Sequence, residues 1–167
     1  MKNLSVLPIF VLLLFISVGS FAQEAKAPAS PPAAASGKIG DATVSIAYSA
    51  PSVKGRKIWG DLVPFDQVWR TGANQCTSFT TDKAISFGGK SLPAGTYGLF
   101  TIPGEKEWTI IFNKDSKQWG AYDYKAGEDV LRITATPAKS KAFQEKMNIF
   151  VAHDKVSIDW ENLSVKF

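Results

Sequence analysis

Residues 92–113, LPAGTYGLFTIPGEKEWTIIFN, carry the clearest signals of the fold of this chain. Pro93-Ala94-Gly95 predicts a β-turn that leads into a strand over residues 96–102, because Pro and Gly stand where such a turn favours them. Pro103-Gly104 ends that strand. Residues 108–112 (WTIIF) form a near-continuous run of β-branched and aromatic side chains, typical of a central strand covered on both faces. The stretch therefore predicts two strands deep in a β structure.

The same signals continue on both sides of this stretch. Val44, Ile46 and Tyr48 alternate with small side chains, which is the period-2 pattern of a half-buried strand. Gly88-Gly89 suits the positive φ angles of a tight hairpin. The one helix predicted, of one or two turns, covers residues 139–146. The other predicted strands cover residues 43–48, 78–81, 84–87, 90–92, 130–136, 149–152, 156–160 and 163–167.

Turn signals between these segments recur about every 8 to 12 residues, as in sandwiches and barrels. No unit of constant length repeats, which argues against a solenoid or a propeller. We therefore predict an all-β fold. The preferred architecture is a two-layer antiparallel β-sandwich with jelly-roll-like or Greek-key connections, and the alternative is a partly closed β-barrel.

The first residues of the chain resemble an export signal. Lys2 is followed by an apolar run over residues 4–18, and Ser20-Phe21-Ala22 places small residues where a signal peptidase cleaves. We predict a signal peptide over residues 1–22 and a soluble periplasmic or extracellular protein after cleavage. Residues 23–37 are rich in Ala and Pro and predict a disordered linker. Residues 38–167 are expected to form a single domain.

Charge and cysteine content narrow the function classes. The formal net charge is +4, and the lysines are scattered rather than gathered in a basic block, so nucleic-acid binding is not indicated. Nothing after the apolar run is long enough to predict a membrane span. Cys76 is the only cysteine, which excludes an intramolecular disulfide and suggests a packing residue. No motif predicts a cofactor or a metal.

Three strings carry a resemblance to a known family: GRKIWGDLVPFDQVWRTGAN (55–74), KSLPAGTYGLFTIPGEKEWTIIFN (90–113) and QWGAYDYKAGEDVLRITATP (118–137). Across about residues 38 to 160 the chain resembles a family of secreted bacterial proteins known only as a domain of unknown function, DUF2911. The resemblance implies a compact all-β domain behind a signal peptide. It implies no catalytic or binding role for any residue. Cys76 departs from the small non-thiol residue usual at its position in that family.

The first candidate site is the segment Trp69-Arg70-Thr71-Gly72-Ala73-Asn74. Arg70, Thr71 and Asn74 present several hydrogen-bond donors within a Gly-bearing turn, and Trp69 could stack on a ring, so the segment suits an anion, a carboxylate or sugar hydroxyls. The structural alternative pairs Arg70 with Asp61 or Asp66, uses Asn74 to hold the turn and places Trp69 in the core.

The second candidate site combines Trp119, Tyr122, Asp123 and Tyr124, which are dense in aromatic rings for a loop. Stacking on a sugar or an apolar ligand is one interpretation, and closing one end of the core is the other. If the two segments meet, Arg70 and Asp123 would be the polar anchors of one aromatic-walled pocket.

Three functions remain open from the sequence. The leading hypothesis is a non-enzymatic exported protein that binds a small ligand or an envelope glycan through both segments. The second is a hydrolase or isomerase with a carboxylate pair such as Asp61 and Asp123, although no spacing selects a pair. The third is a structural partner of an envelope protein complex.

Overall fold

The structure, a computed structural model, describes residues 28–167, so the predicted signal peptide and residues 23–27 of the predicted linker lie outside the described part. Ten strands make up almost all of its regular structure, together with one 3-10 turn at Ala126–Glu128. No helix among the described residues is long and apolar enough to cross a membrane. The strands are β1 (Pro32–Ile39), β2 (Ala42–Ser49), β3 (Thr77–Thr81), β4 (Ile85–Phe87), β5 (Lys90–Leu92), β6 (Gly95–Ile102), β7 (Trp108–Asn113), β8 (Asp129–Ala135), β9 (Pro137–Ala152) and β10 (Lys155–Lys166).

Six strands form the first layer in the order β1-β2-β3-β6-β7-β8, and every pair is antiparallel. The hairpin β4–β5 is inserted between β3 and β6 and turns through Gly88 and Gly89, whose φ angles are 57° and 82°. In β7, Ile110, Ile111 and Phe112 are completely buried. The prediction that WTIIF is a central strand covered on both faces is therefore confirmed.

The long ribbon of β9 and β10 forms the second layer. Val156 and Phe167 exchange both backbone hydrogen bonds, at 2.9 and 3.1 Å, although a straight strand would separate them by about 36 Å. The ribbon therefore bends back on itself near Glu161, whose φ of 53° accompanies a shift in strand register. The predicted two-layer antiparallel sandwich is confirmed, and the sheets do not close into a barrel.

The predicted helix over residues 139–146 is wrong, because this segment is the middle of β9. Lys139 pairs with Leu163 of β10, and Gln144 pairs with Glu161. Local helix propensity is a weak preference that pairing with a distant strand overrides. The predicted break between residues 160 and 163 is likewise a bulge within the single strand β10.

The predicted disordered linker is wrong for residues 32–37, which belong to β1. They pair with β2 along their whole length, and Pro32 stands at the first position of the strand, where its missing N–H costs least. Alternate alanines, Ala33 and Ala35, pack against the core. Because alanine has little apolar area, this alternation is only a weak strand signal in the sequence. Pairing with β2 makes the segment a strand.

The core contains a cluster of four tryptophan rings in the part that faces the candidate site. Trp69 and Trp160 are stacked with ring centres 5.9 Å apart, and Trp59 meets Trp108 edge to face at 5.0 Å. Such pairs add about 0.5 to 1.5 kcal/mol each beyond the area they bury. The packing of this cluster holds the backbone at Trp69, where the chain leaves the sheet.

Candidate functional site

Residues 70–76 form a loop whose two ends lie side by side. Before the loop, Trp69 exchanges backbone hydrogen bonds with Thr101 of β6, at 2.7 and 2.9 Å. After it, β3 begins at Thr77, whose N–H donates to the carbonyl of Arg70 at 3.1 Å. The loop therefore leaves the sheet and returns to it beside β6, and the sheet holds both of its ends.

Thr71 is the most strained residue of this loop. Its φ is 55°, a left-handed conformation that costs a β-branched residue about 1 to 3 kcal/mol, and its side chain is fully buried. The hydroxyl of Thr77 donates to the Thr71 carbonyl at 2.7 Å, and the Thr71 hydroxyl donates to that of Thr101 at 3.2 Å. These bonds hold Thr71 in place, so the loop presents Arg70 in a fixed direction.

The far side of the loop is attached to Ser49, at the end of β2. The Ala73 N–H donates to the Ser49 carbonyl at 3.1 Å, and the Asn74 amide donates to the Ser49 hydroxyl at 3.3 Å. Asn74 adopts a φ of 60° and so holds the turn, as the structural alternative predicts. At Gly72 a Cβ atom would approach the Ser49 carbonyl and the Thr77 hydroxyl to 3.1 Å each, which explains the glycine.

A groove of about 280 Å³ separates this loop from the segment at residues 56–63. Its apolar wall includes the indoles of Trp69 and Trp160 and the exposed side chain of Leu62. Its polar groups include Arg56, Arg70 and Asn74, and no Asp or Glu stands among the described residues that line it. The groove therefore combines positive charge with aromatic surface.

One buried donor of this groove lacks a partner. The Nε–H of Arg70 is buried, and no acceptor of residues 28–167 meets it. The indole N–H of Trp160 is also unpaired, but so are those of Trp59 and Trp108, which do not line the groove. Neither Asp61 nor Asp66 forms an ion pair with Arg70, so that part of the structural alternative is wrong. Arg56 is fixed by donating from Nε to the Val53 carbonyl at 3.1 Å and from Nη2 to the Ser52 carbonyl. The groove thus offers donors in excess of acceptors.

The second candidate segment lies beside the loop but does not line the groove. The Cys76 N–H donates to the Gln118 carbonyl at 3.1 Å, and the Gly120 N–H donates to the Asn74 carbonyl at 3.0 Å, so the two segments are joined through their backbones. Trp119 is 58% exposed and Tyr122 is 84% exposed. Asp123 is also exposed. The structure brings the segments together without forming the single pocket.

Tyr124 differs from its neighbours because its side chain is engaged. Its hydroxyl donates to Asp129 Oδ2 at 2.7 Å and accepts from Arg132 Nη2 at 2.8 Å, while Arg132 Nε lies 2.6 Å from the same carboxylate oxygen. Its ring packs on Phe100 at 5.2 Å. Burial, aided by Asp129, raises the pKa of Tyr124 to about 12. The hydroxyl of this side chain is therefore held by Asp129 and Arg132.

Sequence reasoning missed Arg56 and Trp160 as residues of the groove. Arg56 stands in the string GRKIWGDLVP, but nothing in the sequence indicates that this string lies beside RTGAN in the folded protein. The position of Trp160 in the sequence predicts only a buried residue of a strand. Cys76 is buried, and burial raises the pKa of its thiol, in agreement with a packing role. Within residues 28–167, no three His, Cys, Asp or Glu side chains are grouped to hold a metal ion.

Comparison with known proteins gives one result that covers most of the chain. Residues 30–167 match the model of a family described as Protein of unknown function (DUF2911). No curated protein and no solved structure matched the chain. The matched region starts just before β1 and includes both segments of the candidate site. The chain therefore belongs to the DUF2911 family, whose function is unknown.

Proposed function

We propose that this domain binds a small acidic ligand in the groove between residues 56–63 and the loop at residues 70–76. One observation carries the proposal: Arg70 lines the groove and holds a buried Nε–H without an acceptor. A buried donor left unpaired costs about 1 to 3 kcal/mol. A carboxylate, phosphate or sulfate group placed in the groove would supply the missing acceptor oxygens.

The other residues of the groove narrow the class of ligand. Arg guanidinium groups bind carboxylate and phosphate oxygens in a forked geometry, and Arg56 is already oriented by its bonds to backbone carbonyls. Trp69 supplies an aromatic wall. The volume, about 280 Å³, lies just below the range of typical ligand pockets, about 300 to 1,000 Å³, which favours a small ligand. A single acidic sugar of an envelope glycan meets these requirements, and so does a small aromatic acid.

The strained backbone at Thr71 also supports binding. Non-glycine residues in left-handed conformations concentrate at ligand sites, where the surrounding structure holds them at a cost to stability. Here Thr71 directly follows Arg70, and both Thr71 and Asn74 have positive φ angles. The loop is thus preorganised, and a ligand would not have to order it on binding.

Titration with glucuronate, followed by tryptophan fluorescence and calorimetry, tests the proposal. Glucose is the matched neutral sugar, and Trp69 and Trp160 are the intrinsic reporters. Because hydrogen bonds to charged groups contribute about 1.5 to 3 kcal/mol, Arg70→Ala should weaken glucuronate binding about 10- to 100-fold. Arg132→Ala is the control, since Arg132 bonds to Asp129 and Tyr124 away from the groove.

Two results would contradict the proposal. One is that glucuronate, benzoate and inorganic phosphate all bind no better than glucose. The other is that Arg70→Ala binds an acidic ligand as well as the unchanged protein does. If the ligand is a longer glycan, Trp119, exposed next to Asn74, would contact it beyond the groove. Trp119→Ala would then weaken binding of oligosaccharides and leave binding of the single sugar unchanged.

A further inference from the structure

The middle of β9 contains a bulge. Gln144 pairs with Glu161 and Lys139 pairs with Leu163, so residues 140–143 stand opposite Asn162 alone. Phe143 is 55% exposed, although a large aromatic side chain gains by burial. Lys139 and Lys141 are also exposed. The segment therefore protrudes with an aromatic residue flanked by positive charge.

A cavity of about 410 Å³ lies beside this segment, in the bend of the ribbon. Three lysines line it, namely Lys139, Lys141 and Lys166, whereas Asp159 is the one carboxylate among the described residues that line it. Hydroxyl groups of Thr136, Ser140 and Ser164 complete its polar lining. The cavity therefore has a net positive lining that also offers hydroxyl donors.

Asp159 is not neutralised by these lysines. Its Oδ1 atom is buried without a hydrogen-bond partner, and no lysine nitrogen of the described residues lies within ion-pair distance of it. A ligand that fits this cavity therefore carries both an anionic group for the lysines and a donor for Asp159.

We propose that Lys139, Lys141, Phe143 and Lys166, here called the ribbon patch, bind the surface of an anionic lipid bilayer. A phospholipid such as phosphatidylglycerol has a phosphate for the lysines and glycerol hydroxyls that donate to Asp159. Phe143 enters the interfacial region, where aromatic rings are favoured. A free phosphate would use the lysines, and its P–OH group could donate to Asp159, but it would leave Phe143 exposed to water, so the lipid surface is the better match. The proposal does not depend on the groove at Arg70.

Co-sedimentation with vesicles tests the proposal on the chain from residue 23 onward, the form expected after signal-peptide cleavage. One set of vesicles is phosphatidylcholine alone, and the other is an equal mixture of phosphatidylcholine and phosphatidylglycerol. We expect binding to the mixed vesicles and not to the neutral ones. A lysine near an anionic surface contributes about five-fold to binding, so Lys139→Ala with Lys141→Ala should weaken it about 25-fold. Phe143→Ser should weaken it too, and that loss should persist in high salt.

The control variant, Lys114→Ala with Lys117→Ala, removes the same charge from exposed lysines of another loop. We expect it to bind the mixed vesicles within about two-fold of the unchanged protein, because neither lysine belongs to the ribbon patch. Equal losses in the two double variants would overturn the proposal, since binding would then follow net charge alone. Two other results would also overturn the proposal. One is failure to sediment with mixed vesicles, and the other is full release from them by inorganic phosphate at constant ionic strength. Circular dichroism of each variant establishes that it is folded.

Discussion

Replacing Arg70 with alanine should not lower the thermal stability of the domain. The change removes a buried Nε–H that has no acceptor, which relieves about 1 to 3 kcal/mol of lost hydration. It also removes two half-buried methylene groups, Cγ and Cδ, each contributing about 0.8 kcal/mol when fully buried, so about 0.8 kcal/mol is lost. These terms oppose each other, and the relief is the larger. The free energy of unfolding should stay unchanged or rise by up to about 2 kcal/mol, and the midpoint should stay unchanged or rise by up to about 8 °C.

Differential scanning calorimetry of the ligand-free domain measures this, with Arg132→Ala as the matched comparison. Arg132 lies 2.6 Å from Asp129, whose side chain is only 7% exposed, and it also donates to the Tyr124 hydroxyl. Its removal should cost about 1 to 2 kcal/mol and lower the midpoint by about 3 to 10 °C. If Arg70→Ala lowers the midpoint by about 10 °C or more, Arg70 belongs to a buried structural network, for which breaking one pair costs about 3 to 5 kcal/mol. The reasoning about the unpaired donor would then be refuted.

Three further predictions concern the support of the site. Gly98→Ala should destabilise the domain by about 1 to 3 kcal/mol in urea unfolding, because a Cβ atom there would overlap the carbonyl of Asp115, whereas Gly127→Ala, with open space around it, should have no steric cost. The raised pKa of Tyr124, about 12 in the folded protein against about 10 when unfolded, predicts a contribution to stability that is present below pH of about 10 and lost as the pH rises toward 12. Tyr124→Phe should therefore lose less stability between pH of about 9 and 11, and an equal loss in both proteins would contradict this. Cys76, buried with a raised thiol pKa, should react with iodoacetamide only on unfolding, so rapid labelling of the native protein would show the thiol to be accessible.

Most of the fold could be predicted because its signals are local. The β7 residues form an apolar run that no exposed segment would carry, and Gly88-Gly89 has the φ angles that the hairpin requires. His153 and Asp154 also form a turn, as their position between two strand patterns indicates. Each of these features depends on residues a few positions apart, so a reading along the chain finds them.

The candidate site could be predicted only in part. The loop from Arg70 to Asn74 was identified from its donors and its glycine, and it does line a groove. The pairing of Arg70 with a nearby aspartate was equally consistent with the sequence, since the spacing of charges does not reveal which side chains meet. For Tyr124 the sequence leaves both ligand stacking and closure of the core open, and the structure shows its hydroxyl bonded to Asp129 and Arg132.

The strand class, the turns and the family of this protein follow from the sequence alone, because alternation and turn chemistry act over a few residues. The strands at residues 32–37 and 139–146 become apparent only in the folded protein, since pairing of the first with β2, and of Lys139 and Gln144 with β10, overrides weak local preferences. Folding also brings Arg56, Arg70 and Trp160 to one groove. These three residues come from separate parts of the chain, and their proximity results from packing between the layers, which no local pattern encodes.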